Sequence, residues 1–237
     1  MTRDSTSFTA DIGILGTGRM GVRLAVMFAR AGRSVLLGSR DPQRAARIVA
    51  GLPVKGVVAA SYEEAVRARV VLPAAFIRDG LFDLLEDYRA PFDGKVVIDI
   101  TNPFNEDYSD FIFPWNTSAS EEMQKRFPQA RIVGAFKNVW WEVFDAPKFG
   151  EELSDVLVVS DDAQAKQIVL DLVVGTPFRY IDAGALKNAR TVERLTLLTG
   201  ELGIRYQYLP RLNWRLLGEP WVSGSGDRDG IGELIAR

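Results

Sequence analysis

The chain of 237 residues has neither cysteine nor histidine. Without cysteine there is no disulfide, no thiolate nucleophile and no Cys-ligated metal site. Without histidine the commonest general acid or base near neutral pH is missing. Alcohol oxidation by a His base, a His-dependent triad and a His-ligated zinc site are all excluded. Any proton chemistry must use Lys, Tyr, Asp, Glu or water, and no metal site is expected. An excess of charge is also lacking. The 29 Lys and Arg against 31 Asp and Glu leave a net charge of −2. No nucleic-acid or anionic-membrane partner is therefore expected. No apolar run is long enough for a membrane span, and Met1–Asp11 is polar rather than signal-like. Repeats and low-complexity stretches are absent. These features fit a cytoplasmic protein. The hydrophobic fraction of 47% is that of an ordinary globular chain.

What is present begins at residues 12–21, Ile-Gly-Ile-Leu-Gly-Thr-Gly-Arg-Met-Gly. An apolar strand runs directly into Gly16-Thr17-Gly18-Arg19-Met20-Gly21, and Leu24, Met27 and Phe28 follow at helical spacing. A glycine triplet between strand and helix is the form of a dinucleotide-binding turn. Gly16 permits the tight turn, Gly18 lets backbone approach a pyrophosphate, and Gly21 lets the helix pack on the strand. The helix N-terminus offers unpaired N–H groups to the phosphates. At the end of the second strand, an NAD-preferring site would carry an acid for the ribose 2′-hydroxyl. Here the chain reads Gly38-Ser39-Arg40. A hydroxyl and a guanidinium suit a 2′-phosphate, with Arg44 one turn further on as a second cation. NADP(H) is the expected cofactor; the alternative for Arg40 is a solvated surface charge. Asp41-Pro42 reads as helix N-cap and first helical residue.

Strand and helix patterns alternate along the rest, which argues for an α/β, doubly wound (Rossmann), mostly parallel sheet. Strands are expected at 57–58, 95–100, 131–136, 155–160 and 178–181, and 70–76 reads as a strand with its exit loop. Ser61-Tyr62-Glu63-Glu64 and Ser118-Ala119-Ser120-Glu121 read as capping boxes, the first opening a helix through about Ala68. Asp162 is expected to cap a further helix. In a helix from Asn188 to about Leu202, Val192, Leu195, Leu198 and Leu202 form an apolar stripe, suited to a dimer surface or to covering the sheet. Residues 1–150 are assigned to an NADP-binding domain, and 151–237 to a small C-terminal α/β subdomain for substrate or dimerisation. Its tail from Gly224 is expected to be mobile. The loop 104–117 is long and aromatic, with Phe104, Tyr108, Phe111, Phe113 and Trp115; such loops are often functional.

The order of these phrases resembles the NADPH-dependent deazaflavin-coenzyme (F420) reductases. It is similar too to the NADPH-binding domain of the metalloreductases. The phrases that carry the resemblance are Ile12–Gly21, Gly38-Ser39-Arg40-Asp41-Pro42, Val97-Ile98-Asp99-Ile100-Thr101-Asn102-Pro103, Val133-Gly134-Ala135-Phe136-Lys137-Asn138 and Asp182-Ala183-Gly184-Ala185-Leu186-Lys187-Asn188-Ala189-Arg190. The resemblance implies NADPH binding, hydride transfer to a planar acceptor and a homodimer. Carried over residue by residue, it implicates Ala74, Ala75, Phe76, Asn102, Pro103 and Ala135 near the nicotinamide. Lys137 departs from the pattern, where the deazaflavin reductases carry histidine and the metalloreductases asparagine.

Three functions stay open at this point. The first is an NADPH-dependent oxidoreductase passing hydride to or from a deazaflavin such as coenzyme F420, or a flavin. Phe104, Phe113, Trp115, Asn138, Trp140 and Trp141 are then its candidate acceptor contacts, the aromatics equally suiting core or dimer packing. The second is a reductase of a small organic substrate, an imine or activated alkene. Lys137 would be its proton donor or electrostatic anchor, with a pKa lowered by burial, the alternative for it being a surface cation or a phosphate contact; Tyr108 and Glu142 would be weaker candidates. The third is a non-catalytic NADPH-binding protein.

Overall fold

The computed structural model describes residues 9–218. The polar segment before them and the tail from Gly224 lie outside the described residues. Six parallel strands make the central sheet: β1 (Ile12–Leu15), β2 (Val35–Gly38), β3 (Val57–Ala60), β4 (Val70–Pro73), β5 (Val96–Asp99) and β6 (Arg131–Gly134). Their order is β3-β2-β1-β4-β5-β6. The order reverses between β1 and β4, and in open α/β sheets the crevice at such a point, beyond the carboxyl ends of the strands, takes the ligand. The helices between them are α1 (Arg19–Arg30), α2 (Pro42–Ala50), α3 (Tyr62–Ala65), α4 (Leu81–Glu86), α5 (Arg89–Phe92) and α6 (Ala119–Arg126). A hairpin follows, β7 (Lys148–Phe149) with β8 (Glu152–Leu153), then β9 (Asp155–Val158), α7 (Ala163–Leu172), β10 (Arg179–Asp182) and α8 (Ala189–Arg205). Strands β9 and β10 pair in parallel. They join the main sheet through one antiparallel bridge, Gly134 to Val159.

Local chemistry explains several helix starts. The Asp41 carboxylate accepts the N–H groups of Gln43 and Arg44, with Pro42 as the first residue of α2. Ser61 and Glu64 form the full reciprocal box, and Asp162 caps α7 by accepting from Ala165 N. Three expectations are corrected. Helix α3 stops at Ala65 rather than Ala68, because Arg69 N and Val70 N already bond to Ala10 O and Asp11 O as the chain enters β4. The box at 118–121 is only half made. Ser118 Oγ accepts from Glu121 N, but the Glu121 carboxylate goes to the Ser118 hydroxyl and the Arg190 guanidinium. In α8 the buried face is Ala189, Val192, Glu193, Thr196, Thr199 and Gly203. Leu198, from the expected stripe, is 46% exposed. A polar set is buried there because each member has a partner. Glu193 and Thr196 meet Lys137, and Thr199 donates to Leu195 O and accepts from Trp214 Nε1.

Candidate active site

The glycine turn has the geometry the motif requires. Gly16 sits at φ +133°, and a Cβ there would lie 2.7 Å from Ala74 O. A Cβ on Gly21 would lie 2.0 Å from Gly16 O, so only glycine lets α1 start this close to β1. Gly18 has open space where a side chain would stand, which is room for a ligand. It caps α1 without a side-chain bond, and the first turn holds no acid, so the helix N–H groups remain available to an anion. The Arg19 guanidinium lies 4.5 Å over the Trp141 ring, and Arg23 pairs with Asp145 at 2.7 Å. Together they tie the start of α1 to the 140–145 segment.

Strand β2 ends at Gly38, where Ser39 is buried and its Oγ accepts from Asp41 N at 3.1 Å. Because its carboxylate is turned to the α2 N-terminus, Asp41 is spoken for. Arg40 and Arg44 are exposed and carry no ion pair among the described residues. Two free cations and a hydroxyl beside a glycine turn fit a nucleotide with a 2′-phosphate.

The carboxyl edge collects most of the remaining candidates. Ala74 and Ala75 are half-buried and Phe76 is exposed. The Arg78 guanidinium stacks on Phe76 at 4.7 Å and on Tyr108 at 4.2 Å, and bonds Asn105 O and the Tyr108 hydroxyl. It clasps the β4 exit to the aromatic loop. Phe104 is buried against Phe111 and Tyr108, so it supports that loop rather than offering a free face. Phe113 and Trp115 are held by Arg194 of α8, which donates to Phe113 O, lies 3.7 Å over Trp115 and also reaches Phe111 at 5.4 Å and Asp110 at 3.2 Å. Trp140 and Trp141 meet edge to face at 5.5 Å. Asn138 is fully buried with its amide committed to Asp155 O, Leu157 N and Asn213 Oδ1. Its observed contacts hold β9 in place. Pro103 and Ala135 are buried, and Ala135 N bonds Asp99 O. Asn102 donates from Nδ2 to Lys137 O at 2.8 Å, while its Oδ1 is buried with no partner. The indole Nε1 of Trp140 is likewise buried and unpaired. An orphaned polar atom costs stability unless a ligand completes it, so these two also fit a site that receives a polar molecule.

Lys137 overturns two expectations, the surface cation and the lowered pKa. It is wholly buried, yet its pKa is raised. Burial pulls the ammonium down, but Asp99 and Glu193 outweigh it. Nζ lies 2.6 Å from Asp99 Oδ2, 2.9 Å from Glu193 Oε1 and 2.5 Å from Thr101 O. All three of its protons are used. Asp99 also accepts from Thr101 N, Thr101 Oγ1 and Ser120 Oγ. Glu193 takes the N–H groups of Ala119 and Ser120 at the start of α6. Its own carboxyl is pushed up by burial, only partly offset by Lys137. Sequence reading missed Asp99, Thr101, Ser120, Glu193 and Thr196 as site residues. One signal was available: an acid inside the apolar strand β5, Asp99, requires a cation or hydrogen-bond donors; Glu193 lay off the expected apolar stripe of its helix and gave none.

A family model, NADP oxidoreductase coenzyme F420-dependent, matches residues 11–103. The F420-dependent NADP reductase of Methanothermobacter thermautotrophicus is 30% identical over 204 residues, 80% of this chain and 87% of the reductase. The chain belongs to the F420-dependent NADP reductase family. Membership makes it an NADP-dependent oxidoreductase. The metalloreductase STEAP3 of Rattus norvegicus is 31% identical over 189 residues, 78% of this chain. The chain spans only 36% of that protein's length. A solved structure from Arthrobacter sp. FB24, provisionally named an F420-dependent NADP-reductase, superposes with TM-score 0.74 at 25% identity, covering 84% of this chain and 95% of that one. An imine reductase from Pseudomonas sp. shares the fold, with TM-score 0.57 at 19% identity. Among the described residues of this family member, no helix is long and apolar enough to cross a membrane. No acidic cluster among them is arranged to hold a metal ion.

Proposed function

We propose that this reductase transfers a hydride between NADP(H) and a deazaflavin of the coenzyme F420 type. NADP(H), when bound, supplies or takes the hydride at its nicotinamide ring. The observation that carries the reading is the closed state of Lys137, whose ammonium has no proton left for a substrate. In a chain without histidine, this edge then suits an acceptor that needs little proton help from protein. Imine reduction needs such help, so Lys137 gives that alternative no support. The match along nearly the full length of named F420-dependent reductases, against about a third of a metalloreductase, favours the same acceptor. A flavin is the other planar acceptor the reading allows.

In this proposal the Gly16–Gly21 backbone and the N-terminus of α1 bind the pyrophosphate. Ser39, Arg40 and Arg44 hold the 2′-phosphate, and the Asn102 amide orients the nicotinamide end. Phe76, Tyr108, Trp140 and Trp141 exclude water and offer ring faces to the acceptor. Acceleration comes mainly from holding two flat rings in reacting geometry. The same reading includes a homodimer, to which Leu198 and Ile204, exposed on α8, would contribute. The test mixes protein, NADPH and oxidised coenzyme F420 and follows the absorbance of both chromophores. The expected result is loss of both absorbances in equal molar amounts. Tight NADPH binding without bleaching of F420 would overturn the proposal.

A further inference from the structure

Lys137 joins two elements that sequence keeps far apart. Its side chain reaches inward beneath Gly134, where any Cβ would come within 3.1 Å of Lys137 Cε and 3.0 Å of Ser120 Oγ. From there Nζ grips Thr101 O, Asp99 and Glu193. Its main-chain carbonyl accepts from Asn102 Nδ2 and Thr196 Oγ1, both at 2.8 Å. One residue thus holds Thr101 and Asn102, consecutive in the turn leaving β5. It also holds Glu193 and Thr196, which share the buried face of α8. The backbone supports this with an unusual conformation. Phe136, just before Lys137, has φ +59° and packs its ring on Phe28, Phe144 and Tyr180. A bulky residue in the left-handed region is strained, and the surrounding packing must hold it there.

We infer that Lys137 is a positioning residue for the nicotinamide end of the cofactor. It touches neither cofactor nor acceptor. It fixes the Thr101-Asn102-Pro103 turn against α8, so that the Asn102 amide, with its Oδ1 unpaired, is presented in one geometry. The inference rests on NADP(H) binding at this edge and not on the identity of the acceptor. It separates two parts of one ligand. The 2′-phosphate end depends on Ser39, Arg40 and Arg44, remote from the network in the chain; the nicotinamide end depends on the turn that Lys137 holds.

The test uses the full chain with Lys137→Met, which keeps length and removes the charge. Dissociation constants are measured for NADPH and for 2′,5′-ADP, which has the 2′-phosphate but no nicotinamide. NADPH should weaken by about tenfold, the scale of one lost hydrogen-bonded contact. Binding of 2′,5′-ADP should change by less than about twofold, on the same conversion. The fluorescence of bound NADPH should also shift toward that of the free cofactor. Equal weakening of both ligands would mark a merely structural role and overturn the inference, as would no change in either. Removing one charge from a buried network can prevent folding. The neutral triple variant Asp99→Asn, Lys137→Met, Glu193→Gln avoids an unpaired charge and gives the same readout. If it folds and binds NADPH with unaltered affinity and fluorescence, the inference fails. Neither measurement involves F420, so failure of the proposed acceptor would not be mistaken for failure here.

Discussion

At the scale of single residues, cofactor choice comes down to what a side chain is free to do. Arg40 and Asp41 are neighbours of opposite charge at the end of β2, and either one read alone would argue for a different nucleotide. The structure separates them by occupation. Asp41 spends its carboxylate on two N–H groups of α2, whereas Arg40 has no ion-pair partner among the described residues. Arg40→Ala should therefore weaken NADPH by about tenfold to a hundredfold, the range for one charge-assisted hydrogen bond. Affinity for NADH, which has no 2′-phosphate, should barely move. Titration of both cofactors by fluorescence checks this, and an equal loss for both would remove Arg40 from the site. Lys137 teaches the same lesson in reverse. Its residue type suggested a surface cation or, if buried, a titrating acid, and burial alone would have lowered its pKa as expected. Two carboxylates from other elements reverse the sign.

At the scale of elements, the signals that could be read were the local ones. Asp41-Pro42, the Ser61–Glu64 box and the Asp162 cap each depend on residues within one turn, and each formed. What failed depended on distant partners. Glu121 was drawn from its expected box by Arg190, and α8 buries Glu193 and Thr196 because Lys137 waits on the sheet edge. The glycine turn was legible because its glycines answer to neighbouring backbone. The Lys137 network was not, because no spacing rule links β5, the turn after β6 and α8. Helix α7 shows how a local cap is reinforced from outside. Arg131 of β6 bonds Asp162 through two nitrogens, at 2.6 and 3.0 Å. The Arg131 bond, with the cap to Ala165 N, lowers the Asp162 pKa to about 2. A depressed folded pKa contributes stability that is present above the unfolded value and lost as pH falls through the folded one. The pair should hold at neutral pH and fade between about pH 4 and pH 2. Asp162→Asn keeps a competent N-cap but removes the ion pair. Urea midpoints should drop less for this variant than for the parent between neutral pH and about pH 3, where the parent is losing the pair. An identical drop for both proteins would show that the pair does not contribute.

At the scale of the whole molecule, the question is whether the segment after residue 150 stands apart from the body built on the six-stranded sheet. Three features bind them. Val156, Val158, Val169 and Leu172 lie in one apolar cluster with Ile14, Leu72 and Ile98 of the sheet, and on the opposite side Leu186, Ala189 and Val192 share a cluster with Val71, Val97 and Ile132. Val159 and Gly134 exchange backbone hydrogen bonds, each at 2.9 Å. Arg33, between α1 and β2, donates to the carbonyls of Asp171, Leu172 and Val174 at the end of α7. To separate the parts would expose apolar area on both faces of the sheet, unpair the bridge and leave carbonyls without donors. The Lys137 network would break as well, stranding Glu193 on one side and the ammonium on the other. Such costs fall together, so neither part should lose structure while the other keeps it. Urea unfolding at neutral pH should follow one transition, with far-UV circular dichroism and tryptophan fluorescence coincident. Trp140 and Trp141 report the carboxyl edge of the sheet, and Trp214, bonded to Thr199, reports α8 and the chain beyond it. Saturating NADPH should move both signals to the same higher midpoint, because a ligand held by the first part then stabilises the second. If the fluorescence transition split from the dichroism, or if NADPH moved only one of them, the two parts would be separate folding units.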